Sequence, residues 1–305
     1  MPPKIVVVGS LNMDLIVSAP RIPEPGETII GHGFHTAAGG KGANQAVAAA
    51  RLGAQVIMVG CVGGDAYGET LRRNLAADGV DTSFVGVDTE THTGIALITV
   101  DDAGQNSIVV SSGANWRLSA ADVDAAEGAF IGADMLVLQL ETRPEVVERA
   151  AALAVRHGVP VALNPAPARP LSPALLAQVD YLIPNESETA LLSGRPVTGV
   201  DSARAAARTL RGMGIGTVVL TLGGQGAFLI TEGREAHVPA FSVEVVDTTA
   251  AGDAFVGGFA VAVASGWPLP QAARFAAASG ALATTRLGAQ PSLPTLSDVE
   301  RLLRD

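Results

Sequence analysis

The chain has 305 residues, of which 48% are hydrophobic and 16% charged. That is enough apolar material for a substantial buried core, and no internal repeat, long linker or low-complexity tail interrupts it. A formal net charge of -10 excludes a broad basic footprint for nucleic acid, so an anionic ligand has to be held locally by backbone N–H groups or a few cations.

In chain order, apolar β-branched runs predict strands at 4–10, 55–60, 134–140, 159–164, 180–184 and 217–223. Ala/Leu-rich amphipathic stretches predict helices over about 42–53, 66–78, 119–129, 144–157, 186–192 and 201–212. Strands that are apolar throughout, separated by helices, indicate an α/β fold with a mostly parallel sheet covered on both faces. Two segments break the alternation. Residues 11–36 are polar, extended and broken by proline, and 91–112 read as a hairpin around "DDAGQN". Together they predict a small antiparallel sheet away from the main one. The single cysteine, Cys61, lies in the apolar "VIMVGCVGG" and reads as a core residue. One thiol forms no internal disulfide, which points to a reducing cytoplasm. The N-terminal "MPPKIVVVGS" is too short for a signal peptide, and no apolar run reaches the length of a membrane span. The five histidines are dispersed apart from His32 and His35, so no transition-metal site is expected.

Several short stretches carry possible chemistry. "FSVEVVDTTA" (241–250) reads as a strand, and "GDAFVGGFAVAVASG" as a helix starting near Gly252. A helix start presents unpaired N–H groups and the positive end of the dipole, and Ala250, Ala251 and Gly252 are small enough to let a bulky anion approach them. Asp253 falls in the first turn beside that anion. It reads either as a helix-stabilising acid or as a base that accepts a proton from a hydroxyl attacking a phosphate. Asn12 and Asp14, two apart on an extended chain, face the same way and suit adjacent sugar hydroxyls, or else form a polar strand end. "GGKGANQ" (39–45) opens an Ala-rich helix with Lys41 and Asn44, and it is neither a P-loop nor a dinucleotide fingerprint. Lys41 is one of only two lysines. Asn185 and Glu188 are three apart at a helix start, which suits a hydrated Mg²⁺ and equally a capping box. "TLGGQG", with Thr221, Gly223 and Gly226, reads as a turn open to a base or phosphate, or as a plain hairpin turn.

Taken together the chain resembles the ribokinase branch of the PfkB-type carbohydrate kinases. "GSLNMD", Pro23 and "PGET" at 25–28, "GGKGANQAVAAARLGA", "LNPAPA", "PNESE", "VVDTTAAGDAF" and "GAQPS" occur in family order over nearly the whole length. The resemblance implies one ribokinase-like catalytic domain over 1–305, a three-layer α/β/α arrangement whose lid is formed by about 11–36 and 91–112. It implies transfer of a phosphoryl group from ATP to D-ribose. Another furanose, a deoxyribose or a nucleoside is the nearest alternative substrate, and a non-catalytic sugar-responsive relative is the alternative of another class.

The resemblance also assigns roles. Asp253 is the base, and Ala250, Ala251, Gly252 and Asp253 form the anion hole. Asn12, Asp14, Gly40, Lys41, Asn44 and Glu141 are the ribose contacts. Thr221, Leu222, Gly223, Gly224, Gln225 and Gly226, with Asn185 and Gly252, line the ATP site. Asn185 and Glu188 hold Mg²⁺ through water. Asp247, Thr249, Ala283, Arg286, Gly288 and Ser292 resemble an activating K⁺ site. Within "RFAAASGALA" (274–283), where the family often carries a polar nucleotide contact, this chain has alanines. A homodimer through the lid is the expected assembly, with neither nucleic acid nor membrane as a partner.

Overall fold

The computed structural model describes residues 1–304. Its strands are β1 (Lys4–Val8), β2 (Asn12–Ala19), β3 (Gly33–Gly39), β4 (Gln55–Gly63), β5 (Asp81–Asp88), β6 (Gly94–Asp101), β7 (Asn106–Ser111), β8 (Met135–Leu138), β9 (Val161–Leu163), β10 (Tyr181–Leu182), β11 (Thr217–Thr221), β12 (Ala227–Thr231) and β13 (Arg234–Val238). Its helices are α1 (Lys41–Arg51), α2 (Ala66–Ala77), α3 (Ala120–Ala125), α4 (Glu127–Phe130), α5 (Pro144–Arg156), α6 (Pro173–Leu176), α7 (Glu186–Ser193), α8 (Val200–Arg211), α9 (Ala251–Ala264), α10 (Leu269–Ala283) and α11 (Leu296–Arg304).

Nine strands form the main sheet in the order β13-β12-β11-β10-β9-β8-β1-β4-β5. All neighbours run parallel except at the β11–β12–β13 end. β1 explains the layering. Ile5 and Val7 pack into a core with α1, α9 and α10, while Val6 and Val8 pack into the opposite core with α5 and α8. Side chains alternate across a strand, so an unbroken apolar run supplies both layers at once. No helix among the described residues is long and apolar enough to cross a membrane. Cys61 is buried, as its apolar neighbours implied.

The second sheet has four strands in the order β3-β2-β6-β7, built from the two segments that broke the α/β alternation. The β6–β7 hairpin forms as expected, but the sheet is mixed rather than wholly antiparallel. β2 pairs parallel with β6, Asn12 opposite Gly94 and Ala19 opposite Asp101. Both strands leave the main sheet in the same direction, and short-range pattern carries no information on that.

Two other expectations are corrected. The 119–129 helix is two short helices, because the chain turns at Ala126 between them. Residues 241–250 form no strand. They lie beyond the edge strand β13 and Pro239, where no sheet partner is available. The backbone N–H groups of Val246 and Asp247 donate instead to the Thr284 carbonyl, and Val245 and Val246 are exposed.

Close helix packing completes the frame. A Cβ on Gly257 of α9 would stand 2.7 Å from Ala48 Cβ of α1, and one on Gly258 would stand 2.7 Å from Ser279 Oγ of α10. Forcing a methyl into such contacts costs about 1–3 kcal/mol. The two glycines let three helices meet backbone to backbone. That contact sets Asn44 and Gln45, one turn before Ala48, against Asp253, one turn before Gly257.

Candidate active site

The turn before α9 is locally strained. Ala250 is the only non-glycine residue with positive φ among those described, at 60°. That conformation costs an L-residue about 1–2 kcal/mol and clusters at functional sites. It aims the chain into α9 with no capping side chain. Ala251 N–H reaches only the Thr248 carbonyl, at 3.3 Å, and the amides of Gly252 and Asp253 have no acceptor. A Cβ built on Gly252 meets nothing within 4 Å. The geometry is therefore an open set of amides at the positive end of a helix dipole, with space above it for an anion.

Asp253 is 6% exposed. Its Oδ2 accepts from Asn44 Nδ2 and its Oδ1 from Gln45 Nε2, each at 2.9 Å. Burial pushes its pKa up, while the positive charge of Lys41 and the two amide donors pull it down. A carboxylate lifted toward neutrality is a better proton acceptor than an exposed one.

Around it lie the residues expected to hold a sugar. Gly40 has φ 89°, and a Cβ there would stand 2.7 Å from the Asn12 amide, so only glycine lets α1 begin against β2. Asn12 is fixed by Asn115, whose Nδ2 donates to Asn12 Oδ1 at 2.7 Å and leaves the Asn12 amide hydrogens free. Glu141 Oε2 accepts from Ser10 Oγ at 2.5 Å and from the Lys41 backbone N–H at 3.1 Å. Asp14 is buried, and no protein group among those described donates to its carboxylate. Its pKa is pushed up to about 7 by burial and by the charges of Glu141 and Asp253, against the pull of Lys41. Burial pulls the Lys41 ammonium down, but Asp253, Glu141, Glu188 and Asp14 outweigh it and hold its pKa above the usual lysine value. Asn44 Oδ1 is likewise buried without a partner. A buried polar atom left unpaired costs about 1–3 kcal/mol, so Asn44 Oδ1 is an acceptor suited to a hydroxyl donor.

Lys41, Asp253, Ala250, Gly252, Asn185 and Glu188 line a single cleft of about 220 Å³, and Thr221 reaches it from the end of β11. Asn185 and Glu188 form a capping box for α7. Asn185 Oδ1 accepts from Glu188 N–H and Glu188 Oε2 accepts from Asn185 N–H, both at 2.9 Å. Burial raises the Glu188 pKa, opposed by that backbone donor and by Lys41. Glu188 Oε1 also accepts from Asn185 Nδ2 at 3.0 Å, and each carboxylate oxygen keeps a lone pair, a donor set that fits Mg²⁺ held through water. The "TLGGQG" turn is the hairpin connection between β11 and β12. Gly223 and Gly224 face open space, whereas the Leu222 side chain is buried, Gln225 is exposed with its carbonyl taken by His237, and Gly226 is packed against Val238.

The loops proposed for K⁺ meet at one point. Asp247 Oδ1 accepts from Thr249 Oγ1 at 2.7 Å, and its Oδ2 from Gly288 N–H at 2.8 Å. Arg51, at the end of α1, steadies the second loop by donating to the carbonyls of Gln290 at 2.6 Å and Leu293 at 3.0 Å. Ala283 is buried in the core, Ser292 Oγ turns to the Ala289 carbonyl, and the Arg286 side chain points toward Asp298. Of the residues expected around K⁺, Asp247 brings a carboxylate to this meeting point, whereas the side chains of Ala283, Arg286 and Ser292 are turned elsewhere.

The site also contains residues that motif reading passed over: Ser10, Gln45, Asn115, Gln139, Asn164 and Thr248. Ser10, Gln45, Asn164 and Thr248 lie inside the quoted motifs but were not singled out. Gln139 and Asn115 stand apart, and only the fold brings them in.

Residues 2–296 match the sequence profile of the pfkB family carbohydrate kinases. The chain is 43% identical over 299 residues to a ribokinase of Haemophilus influenzae, covering 98% of each protein. It is 40% identical over 300 residues to a deoxyribokinase of Salmonella typhimurium, again covering 98% of each. Among solved structures, that of Arabidopsis thaliana ribokinase complexed with ribose and ATP superposes with a TM-score of 0.92 at 35% identity, covering 100% of both chains. An open helix start beside a buried acid, an unpaired acceptor on Asn44 and this full-length similarity agree, and the chain belongs to the PfkB family of carbohydrate kinases.

Proposed function

We propose that this protein transfers the γ-phosphoryl group of ATP to O5 of D-ribose, giving D-ribose 5-phosphate and ADP. The observation that carries the reading is Asp253. It is buried at the mouth of an uncapped helix, close to the unpaired helix-start amides and hydrogen-bonded to Asn44, whose own oxygen is unpaired. In the reaction the 5-hydroxyl proton passes to the Asp253 carboxylate, the O5–Pγ bond forms, and the bond from Pγ to the β,γ-bridging oxygen breaks. The amides of Gly252 and Asp253 receive the negative charge on the equatorial oxygens. Lys41 neutralises part of the same charge. Asn12, Asp14, Asn44 and Glu141 orient the sugar, and Thr221, Gly223 and Gly224 line the ATP side. Asn185 and Glu188 would hold Mg²⁺ through water, where it screens phosphate charge. Asp247, with carbonyls of the Thr249 and Gly288 loops, would hold K⁺, whose charge orders the turn leading to Ala250.

The chain works as one catalytic unit, with 11–36 and 91–112 as a lid that excludes water in favour of sugar. The lid face opposite Asp14 presents Val17, Phe34, Leu97 and Val109 to solvent. That apolar face suits a second copy of the chain, hence a homodimer. A cytoplasmic enzyme is the fitting setting for its substrates.

The deoxyribokinase relative keeps 2-deoxy-D-ribose as a second reading. An ADP-release assay with ribose, 2-deoxyribose and nucleosides tests the substrate, and Asp253→Asn run alongside tests the base. Ribose is expected to give the highest kcat/KM. Asp253→Asn is expected to lose about 10²–10⁴-fold in turnover while still binding ribose. Nucleosides outperforming ribose would overturn the substrate, and near-normal turnover of the variant would overturn the mechanism.

A further inference from the structure

Beside Asp253 lies a chain of side-chain amides that runs from Asn164, half-buried in the cleft wall, through Gln45 to Gln139 in the interior. Gln45 Nε2 donates to Asp253 Oδ1 at 2.9 Å and to Asn164 Oδ1 at 3.2 Å. Gln45 Oε1 accepts from Gln139 Nε2 at 2.7 Å. Asn164 Nδ2 donates to the Ile183 backbone carbonyl at 2.9 Å. Gln45 is fully buried and Gln139 nearly so.

The polarity of this chain is not free. A backbone carbonyl only accepts, so Asn164 must turn its NH₂ to Ile183 and its oxygen to Gln45. Gln45 must then turn its NH₂ toward Asn164 and Asp253, and its oxygen toward Gln139. The far end is left unsatisfied. Gln139 Oε1 is buried with no partner, close against Gly9, where a Cβ would overlap it. An arrangement that leaves an acceptor orphaned at one end, yet aims two donors inward at the other, sacrifices local satisfaction for a fixed direction.

We infer that Gln45, locked in orientation by Asn164 and Gln139, is a positioning residue that presents a permanent donor to Asp253 Oδ1 and so keeps this carboxylate ionised and unable to rotate until the sugar hydroxyl arrives. A carboxylate accepts the fixed Gln45 N–H more strongly than a carboxylic acid does, so the locked amide disfavours the protonated form. The groups that also act on Asp253 are Lys41, which favours the charge, and Glu141, Asp14 and Glu188, which oppose it. Three acids against one lysine leave the neutral donors needed.

This inference rests on Asp253 being the base, and the test separates the two. Rate against pH is measured with ATP and ribose for the wild type, Asp253→Asn, Gln45→Met and Gln139→Met. Loss of a donor raises the Asp253 pKa, so the acid limb of kcat moves to higher pH. The shift expected is about one unit in Gln45→Met and a smaller one of the same sign in Gln139→Met. At pH values below that limb, kcat falls about tenfold in Gln45→Met, and it recovers at alkaline pH with ribose KM within about threefold. Packing damage alone gives no such alkaline recovery. Gln139→Met removes one orphaned oxygen as it creates another, so it is expected to fold with wild-type stability and carries the test if Gln45→Met does not. An active Asp253→Asn sinks the base itself. An inactive Asp253→Asn with an unmoved acid limb in the amide variants sinks the relay.

Discussion

Asp14 offers a direct trade between stability and binding. Its side chain is buried, receives no hydrogen bond from the protein and has a pKa pushed up to about 7, well above the usual carboxylate range. A carboxylate whose folded pKa is raised destabilises the fold as pH climbs from the unfolded value through the folded one, and the full cost is present above about pH 7. Lifting an aspartate from its usual range to about 7 costs at most about 4 kcal/mol. Asp14→Asn removes the charge but keeps the shape. The amide's own desolvation takes back part of the gain, leaving about 1–3 kcal/mol expected at pH 8 and close to none below pH 4. Thermal denaturation at pH 8 is expected to show a midpoint higher by about 2–6 °C than wild type. Added ribose is expected to raise the wild-type midpoint and leave that of the variant unmoved. A variant no more stable than wild type at pH 8, or equally stabilised at both pH values, refutes the account of Asp14 as an acid waiting for hydroxyl donors.

Other outcomes follow from the same geometry. Gly252→Ala adds a methyl that touches nothing in the protein, so the fold should be unchanged or firmer by up to about 1 kcal/mol. The methyl enters the anion space, and kcat is expected to drop sharply; unimpaired turnover would remove the anion hole from this turn. Replacing tetramethylammonium by K⁺ is expected to raise kcat severalfold. It should also raise the melting midpoint of the substrate-free protein, since a ligand at about 100 times its Kd stabilises by about 2.7 kcal/mol. The same midpoint in both salts would count against K⁺ between the Asp247 and Gly288 loops. Val109→Glu on the outer face of the lid is expected to convert a sedimenting dimer to monomer, and an unchanged sedimentation coefficient would exclude that face.

Local chemistry made much of the site legible beforehand. The α/β alternation can be read because a strand buried on both faces must be apolar throughout, as β8 is and β1 is after Lys4. The start of α9 can be read because a run of small residues ends at an acid where an apolar helical pattern begins, although the pattern alone leaves Asp253 as either a helix-stabilising acid or a base. Asn185 and Glu188 were readable both as a capping box and as cleft residues, and the fold uses them as both. The 241–250 segment misled because valines favour strands only where a partner strand exists, and beyond β13 there is none.

What the sequence determined by itself was the layered sheet, the helix starts and the type of chemistry at Lys41, Asp253 and their neighbours, all set within a few residues by periodicity, glycine and charge. What only the tertiary structure decided was who meets whom. Asn115 orients Asn12 from 103 residues away, Gln45 reaches Asp253 across 208 residues, and β2 lies parallel to β6. Those partnerships depend on the order of strands in the sheets and on Gly257 letting α9 close on α1, and no local pattern encodes which distant amide will stand beside a buried carboxylate.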